Sequence, residues 1–270
     1  MKKITSLFVA FGIAASFAVA GEGEGCPGQC KGTDAKPTAL ATARKALADA
    51  PKAEEKLTAD QRAQLKDARE FLLQTPFGKA MGASFEACGW LTFAAASQPG
   101  TTPEAAALLK DMGATYCSIA KMVGGCAGCE CCEDSEQCCE NCKADMSADA
   151  VAAKAKESAD IANKLLAVAA EQKPTAEQME KLNAHMKTMQ ELCPVMPAMQ
   201  GATTALNDAL ASLAKMGIPS TDPKNATRDG LVKAAIELHG AMTSCHSSEG
   251  CGECEGTEKT EEAAAPGKSS

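Results

Sequence analysis

Aromatic residues are scarce in this sequence. Its 270 residues contain one Trp, one Tyr and seven Phe, 3% in all. Strands draw heavily on aromatic and β-branched side chains, so an all-β fold is excluded. An excess of positive charge is also missing. The formal net charge is −8, and losing Lys2 and Lys3 with an N-terminal signal takes it to −8 − 2 = −10. Such a chain repels phosphate backbones and anionic lipid, which excludes nucleic acid as a partner. There is no phosphate-cradling glycine loop, no nucleophile set beside a base and no carboxylate pair at a defined spacing, so the chain reads as a non-enzyme. Covalent c-type haem needs Cys-x2-Cys-His; Cys245-His246 lacks the leading cysteine.

What is present points to helices. Hydrophobic residues make up 45% and charged residues 23%, as in an ordinary folded protein, but there are 15 Cys and about one residue in five is Ala. That mix favours helices packed on small side chains. Lys2 and Lys3 precede an apolar stretch from Ile4 to Val19, and Ala18-Val19-Ala20 is a small-x-small cleavage site. The pattern is that of a Sec-type signal over residues 1–20, and the stretch is too short and too interrupted for a span. Periplasmic or extracellular location is the expectation, with no membrane span after cleavage and an oxidising environment for the thiols.

A self-comparison reveals an internal duplication. Cys26-x3-Cys30-Lys31 aligns with Cys138-x3-Cys142-Lys143, and Thr58-Ala-Asp-Gln61 with Thr175-Ala-Glu-Gln178. Gly113-Ala114 with Cys117 aligns with Gly240-Ala241 and Cys245. Each half closes on Gly-Cys-x2-Cys-Glu, at Cys126/Cys129 and Cys251/Cys254. Thr58-x-x-Gln61 and Thr175-x-x-Gln178 are capping boxes that start helices, and Pro103 and Pro223 stand at first-turn positions behind Thr102 and Asp222. Pro76, Pro194 and Pro197 interrupt runs of about 40 residues and are read as turns. The spacing predicts helices over 37–56, 58–75, 77–97 and 103–123, then 147–171, 175–193, 197–216 and 224–244.

The expected fold is therefore all-α: two tandem duplicated bundles of about four antiparallel helices each, joined by a Cys-rich junction. The divisions are a first repeat over 21–130, an acidic junction with the start of the second repeat over 131–142, the second repeat over 143–246, and a disordered, Cys-containing tail over 247–270. Four antiparallel helices return the chain to its starting end, which would bring the opening and closing cysteine pairs of each half together.

Three readings of those cysteines stand. Disulfide staples would link Cys26 and Cys30 with Cys126 and Cys129, and Cys138 and Cys142 with Cys251 and Cys254, each closing a loop of about 100 residues for several kcal/mol. The odd total leaves a thiol for an intermolecular bond; the partner is otherwise unspecified. Alternatively the junction is a soft-metal site for zinc or copper(I), with Cys126, Cys129, Cys131, Cys132, Cys138, Cys139 and Cys142 as ligands. In composition it resembles a metallothionein-type thiolate cluster. Thiol redox chemistry by Cys126/Cys129, Cys139/Cys142 or Cys251/Cys254 is the third reading, but lacks the strand-and-helix setting that activates a thiol. On the leading reading no cofactor is needed.

One further stretch carries soft donors: His185, Met186, Met189, Cys193, Met196 and Met199. These could bind copper(I) through thioethers, a thiolate and an imidazole. Met179, Leu182, Met186, Met189, Cys193 and Met196 also recur in steps of three and four, the stripe of a core-facing helix, and core packing is the preferred reading. Phe77, Met81, Phe85 and Cys88 form another such stripe, so Cys88 is expected to be buried and inert, and His239 to be structural. After the signal every aromatic lies in the first half, so the second half is expected to pack on Leu, Met, Ile and Ala alone. The working expectation is an exported, non-catalytic scaffold or binding protein, with soft-metal sequestration as the rival.

Overall fold

The computed structural model describes residues 38–124, 147–172 and 174–244. Every regular element among them is helical. The first half contributes α1 (Ala39–Glu54), α2 (Ala59–Gln74), α3 (Pro76–Ala96) and α4 (Pro103–Met122). The second contributes α5 (Ala148–Glu171), α6 (Ala176–Leu192), α7 (Val195–Lys215), a single 3-10 turn η1 (Pro223–Asn225) and α8 (Ala226–Ser244). Four helices per half is the number the duplication implies.

Hydroxyl caps set most of the starts. Thr38, Thr58, Thr75, Thr102, Ser147 and Thr175 each accept a hydrogen bond from the backbone N–H three residues on, satisfying a donor the first turn leaves unpaired. Both capping boxes are complete, with the Gln61 and Gln178 side chains accepting from the Thr58 and Thr175 N–H groups at 2.9 and 2.8 Å. Pro76 ends one helix and begins the next, as expected. Pro197 does not behave as a turn. It lies in the first turn of α7, which already starts at Val195, because a proline there removes an N–H that has no helical partner anyway.

Packing crosses between the halves. α3 is the hub, buried around nearly its whole circumference from Ala80 to Ala96, and it packs on α2, α4, α5 and α8. Its most extensive pairing is with α5, which presents Val151, Ala155, Ser158, Ala162 and Ala169 as a buried stripe of mostly small residues. Small side chains let helix axes approach closely. α1 packs on α7, α2 on α6, and α4 on α7. One apolar cluster consequently runs from Leu40 through to Met242, so the two four-helix halves share a core.

This sharing corrects the expectation that the second half packs without aromatics. Phe71 stacks on His185 with ring centroids 4.3 Å apart, and Tyr116 meets the His239 ring edge-on at 5.8 Å. Polar contacts also join the halves, one of them backed by a second-half amide. Tyr116 Oη lies 3.1 Å from His239 Nδ1, and Asn207 Oδ1 lies 2.9 Å from Nε2. Elsewhere Arg228, from α8, donates to the Gly100 carbonyl in the α3–α4 loop at 3.2 Å. Gly100 has φ +82°, and a Cβ there would lie 2.5 Å from Asn225 Oδ1, so this close approach of the two loops requires glycine.

Candidate functional site

The turns α2–α3 and α6–α7, equivalent positions of the duplicated halves, meet around one cavity. Thr75 makes the first turn tight: it caps α3 and its hydroxyl donates to the Leu72 carbonyl at 2.6 Å. Gly78 then runs so close to α2 that a Cβ would fall 2.1 Å from the Leu72 oxygen. In the second half Cys193 closes α6 through its N–H to Met189 O at 3.0 Å, and Val195 begins α7 two residues later. The end of α4 supplies a third wall. Gly124 (φ +72°) follows it, and a Cβ there would press on Leu73 at 3.2 Å.

The resulting cavity has a volume of about 60 Å³ and is partly open. Its walls are Arg69, Leu72, Leu73, Gly78, Met81, Met122, Val123, Met189, Cys193, Val195, Met196 and Met199. Five of the chain's 12 methionines thus line one small space together with a cysteine. Cys193 is 4% exposed. Arg69 Nη2 reaches its sulfur at 3.7 Å and also donates to Glu54 Oε1 at 2.5 Å. Burial alone would pull the Arg69 pKa down, but the bonds to Glu54 and Cys193 outweigh it and the guanidinium is held above its ordinary value. The one charged side chain in the wall is therefore a permanent cation, balanced by a carboxylate.

Of the sequence-expected donors, Met189, Cys193, Met196 and Met199 come together here. Met186 is buried on α6 but outside the wall, and His185 lies one turn further out. The core reading holds for Met186, Cys193 and Met196, which are buried, whereas Met179, Leu182 and Met189 are half-buried; what periodicity could not show is that Met81 and Met122, from distant parts of the chain, complete a thioether-rich lining. Cys26, Cys30, Cys126, Cys129, Cys131, Cys132, Cys138, Cys139, Cys142, Cys251 and Cys254 lie outside the described residues. So do all the staple and junction-metal expectations built on them. Among the described residues no group of three or more His, Cys, Asp and Glu side chains could hold a metal; the cavity offers another donor set, mainly thioether sulfur.

The remaining described thiols are buried elsewhere. Cys88 is fully enclosed, donates to the Ala235 carbonyl at 3.5 Å, and has its pKa pushed strongly upward by burial, which fits the inert role expected of it. Cys117 is buried where α3 and α4 cross at Gly89. None of Cys88, Cys117 and Cys193 forms a disulfide. No described helix is long and apolar enough to cross a membrane. Comparison with protein families, curated proteins and solved structures finds no match for this chain.

Proposed function

We propose that this is an exported, non-catalytic helical binding protein whose ligand is a soft monovalent metal ion, copper(I) foremost, held between its two halves. The observation that carries the reading is the convergence of Met81, Met122, Met189, Cys193, Met196 and Met199 on one small cavity. Thioethers and thiolates select copper(I). A volume of about 60 Å³ suits an ion and falls well short of the roughly 300–1,000 Å³ of organic-ligand sites.

Charge decides between the two metals considered. When copper(I) binds, the Cys193 S–H proton leaves to solvent and a Cu–S bond forms; the metal and thiolate then sum to zero beside a neutral Arg69–Glu54 pair. Zinc(II) on the same single thiolate leaves a net positive charge in an apolar pocket, a costly arrangement, and favours nitrogen, oxygen or several thiolates over thioethers.

Silver(I), a diamagnetic stand-in for copper(I), gives a residue-resolved test on full-length mature protein carrying ¹³C-methyl methionine. At saturation the methyl signals of Met81, Met122, Met189, Met196 and Met199 are expected to shift, while core residues Met112 and Met242 stay in place. Cys193→Ser is expected to weaken this binding about tenfold or more, equivalent to at least 1.4 kcal/mol. Five unmoved signals at saturation would overturn the proposal.

The disulfide-stapled frame is a compatible second reading, favoured by a count. Of 15 cysteines, three are buried outside any disulfide, and 15 − 3 = 12 leaves an even number for pairing in the exported form. Alkylation of denatured, unreduced protein in the presence of a chelator is then expected to label three thiols, Cys88, Cys117 and Cys193. Labelling of most of the fifteen would instead favour a thiolate cluster at the junction.

A further inference from the structure

The cavity stands at the C-terminal end of one face of α6. His185, Met189 and Cys193 follow in steps of four, each about 6 Å further along the axis with a small drift around it. The first two are half-buried and the last is buried. The His185 side chain is 23% exposed, Met189 is partly buried and Cys193 is 4% exposed. The imidazole is oriented rather than loose: it stacks on Phe71 with an interplanar angle of 29°, and Nδ1 lies 4.0 Å from Asp67 Oδ2. Phe71 adjoins Leu72, itself part of the cavity wall. An imidazole with a carboxylate beside it attracts and holds a metal cation at the surface, one helical turn from the first thioether of the pocket.

We infer that His185 is the outer docking point from which copper(I) passes to Met189 and on to Cys193. This rests on the pocket reading above. The transfer is ligand exchange without change of oxidation state: an imidazole N–Cu bond breaks as the Met189 S–Cu bond forms, and the Cys193 proton goes to solvent only at the last step. His185 is absent from the cavity wall, so it governs the rate of filling and not the stability of the filled site.

The test follows copper(I) supplied anaerobically as its coloured bicinchoninate complex to full-length mature protein. The part of the colour loss that disappears in Cys193→Ser is the pocket's own. In His185→Phe, which keeps a ring against Phe71, that part is expected to retain its amplitude while its rate falls about fivefold or more, near 1 kcal/mol of barrier. His185→Met, which returns a soft donor, is expected to restore the rate to within about twofold. An unchanged rate in His185→Phe sinks the inference, and so does a lost amplitude, which would make His185 a ligand of the filled site. If wild-type protein shows no Cys193-dependent part at all, the pocket reading fails and this one with it.

Discussion

Asp229→Asn is expected to destabilise the protein by about 3–5 kcal/mol, the cost of stranding one partner of a buried ion pair. Arg228 and Asp229 are 4% and 3% exposed. Arg228 Nη2 lies 2.8 Å from Asp229 Oδ1 and Nε donates to the same oxygen at 2.9 Å. Ser220 donates to the other carboxylate oxygen at 2.6 Å. Burial pushes the Asp229 pKa up, but the bonds from Ser220 and Arg228 prevail and it sits below the ordinary carboxylate value. The acid is thus charged at neutral pH, and its neutral replacement leaves a guanidinium desolvated and turns an amide toward it. Urea unfolding at pH 7.5 measures the loss. The double replacement Arg228→Met with Asp229→Leu, which removes both charges, is expected to recover most of it. An Asp229→Asn midpoint within experimental error of wild type would refute the account of this clasp.

Acid is expected to remove about 3 kcal/mol through His239 alone. Asn207 presents a carbonyl oxygen to Nε2, so Nε2 carries the proton and Nδ1 accepts from the Tyr116 hydroxyl. Burial lowers the His239 pKa from 6.5 to about 4. The unfolded chain therefore takes up a proton below about pH 6.5, whereas the folded one resists until about 4. Between those values the unfolded state binds more protons, so stability is full above the upper value and is lost as pH falls toward the lower one. A gap of two to three units at 1.36 kcal/mol each sets the magnitude. Denaturant unfolding of wild type and His239→Gln at pH 7.5, 5.5 and 4.5 isolates this contribution, since the carboxylates common to both cancel. The variant is expected to begin less stable and to lose less; parallel decline of the two would refute it.

Local structure was legible in the sequence because its causes are local. Thr58/Gln61 and Thr175/Gln178 announce helix starts within four residues, and Pro76 announces a turn. Pro197 misled because proline is neutral in a first turn, and only the preceding cap tells whether a turn has begun. Pairing between the halves could not be read. Ala155, Ser158 and Ala162 say that something packs closely on α5, but small side chains carry no label for their partner. Arg228 and Asp229 look like ordinary adjacent surface charges until Ser220 and Gly100 are brought to them. The pocket was half visible: Met189, Cys193, Met196 and Met199 declare themselves by spacing, whereas Met81 and Met122 join them only through the tertiary fold.

The shared core also fixes an order of events in the life of the molecule. The chain is made from its N-terminus, so α3 exists before α5 and α8, the helices that cover much of its apolar circumference, and α1 waits for α7 through the whole of the intervening sequence. Contacts this distant delay folding. The exposed hub in the interval is the kind of surface on which nascent chains aggregate. A chain cleaved near the midpoint would release a half whose hub helix keeps α2 and α4 but bares the face that α5 and α8 cover.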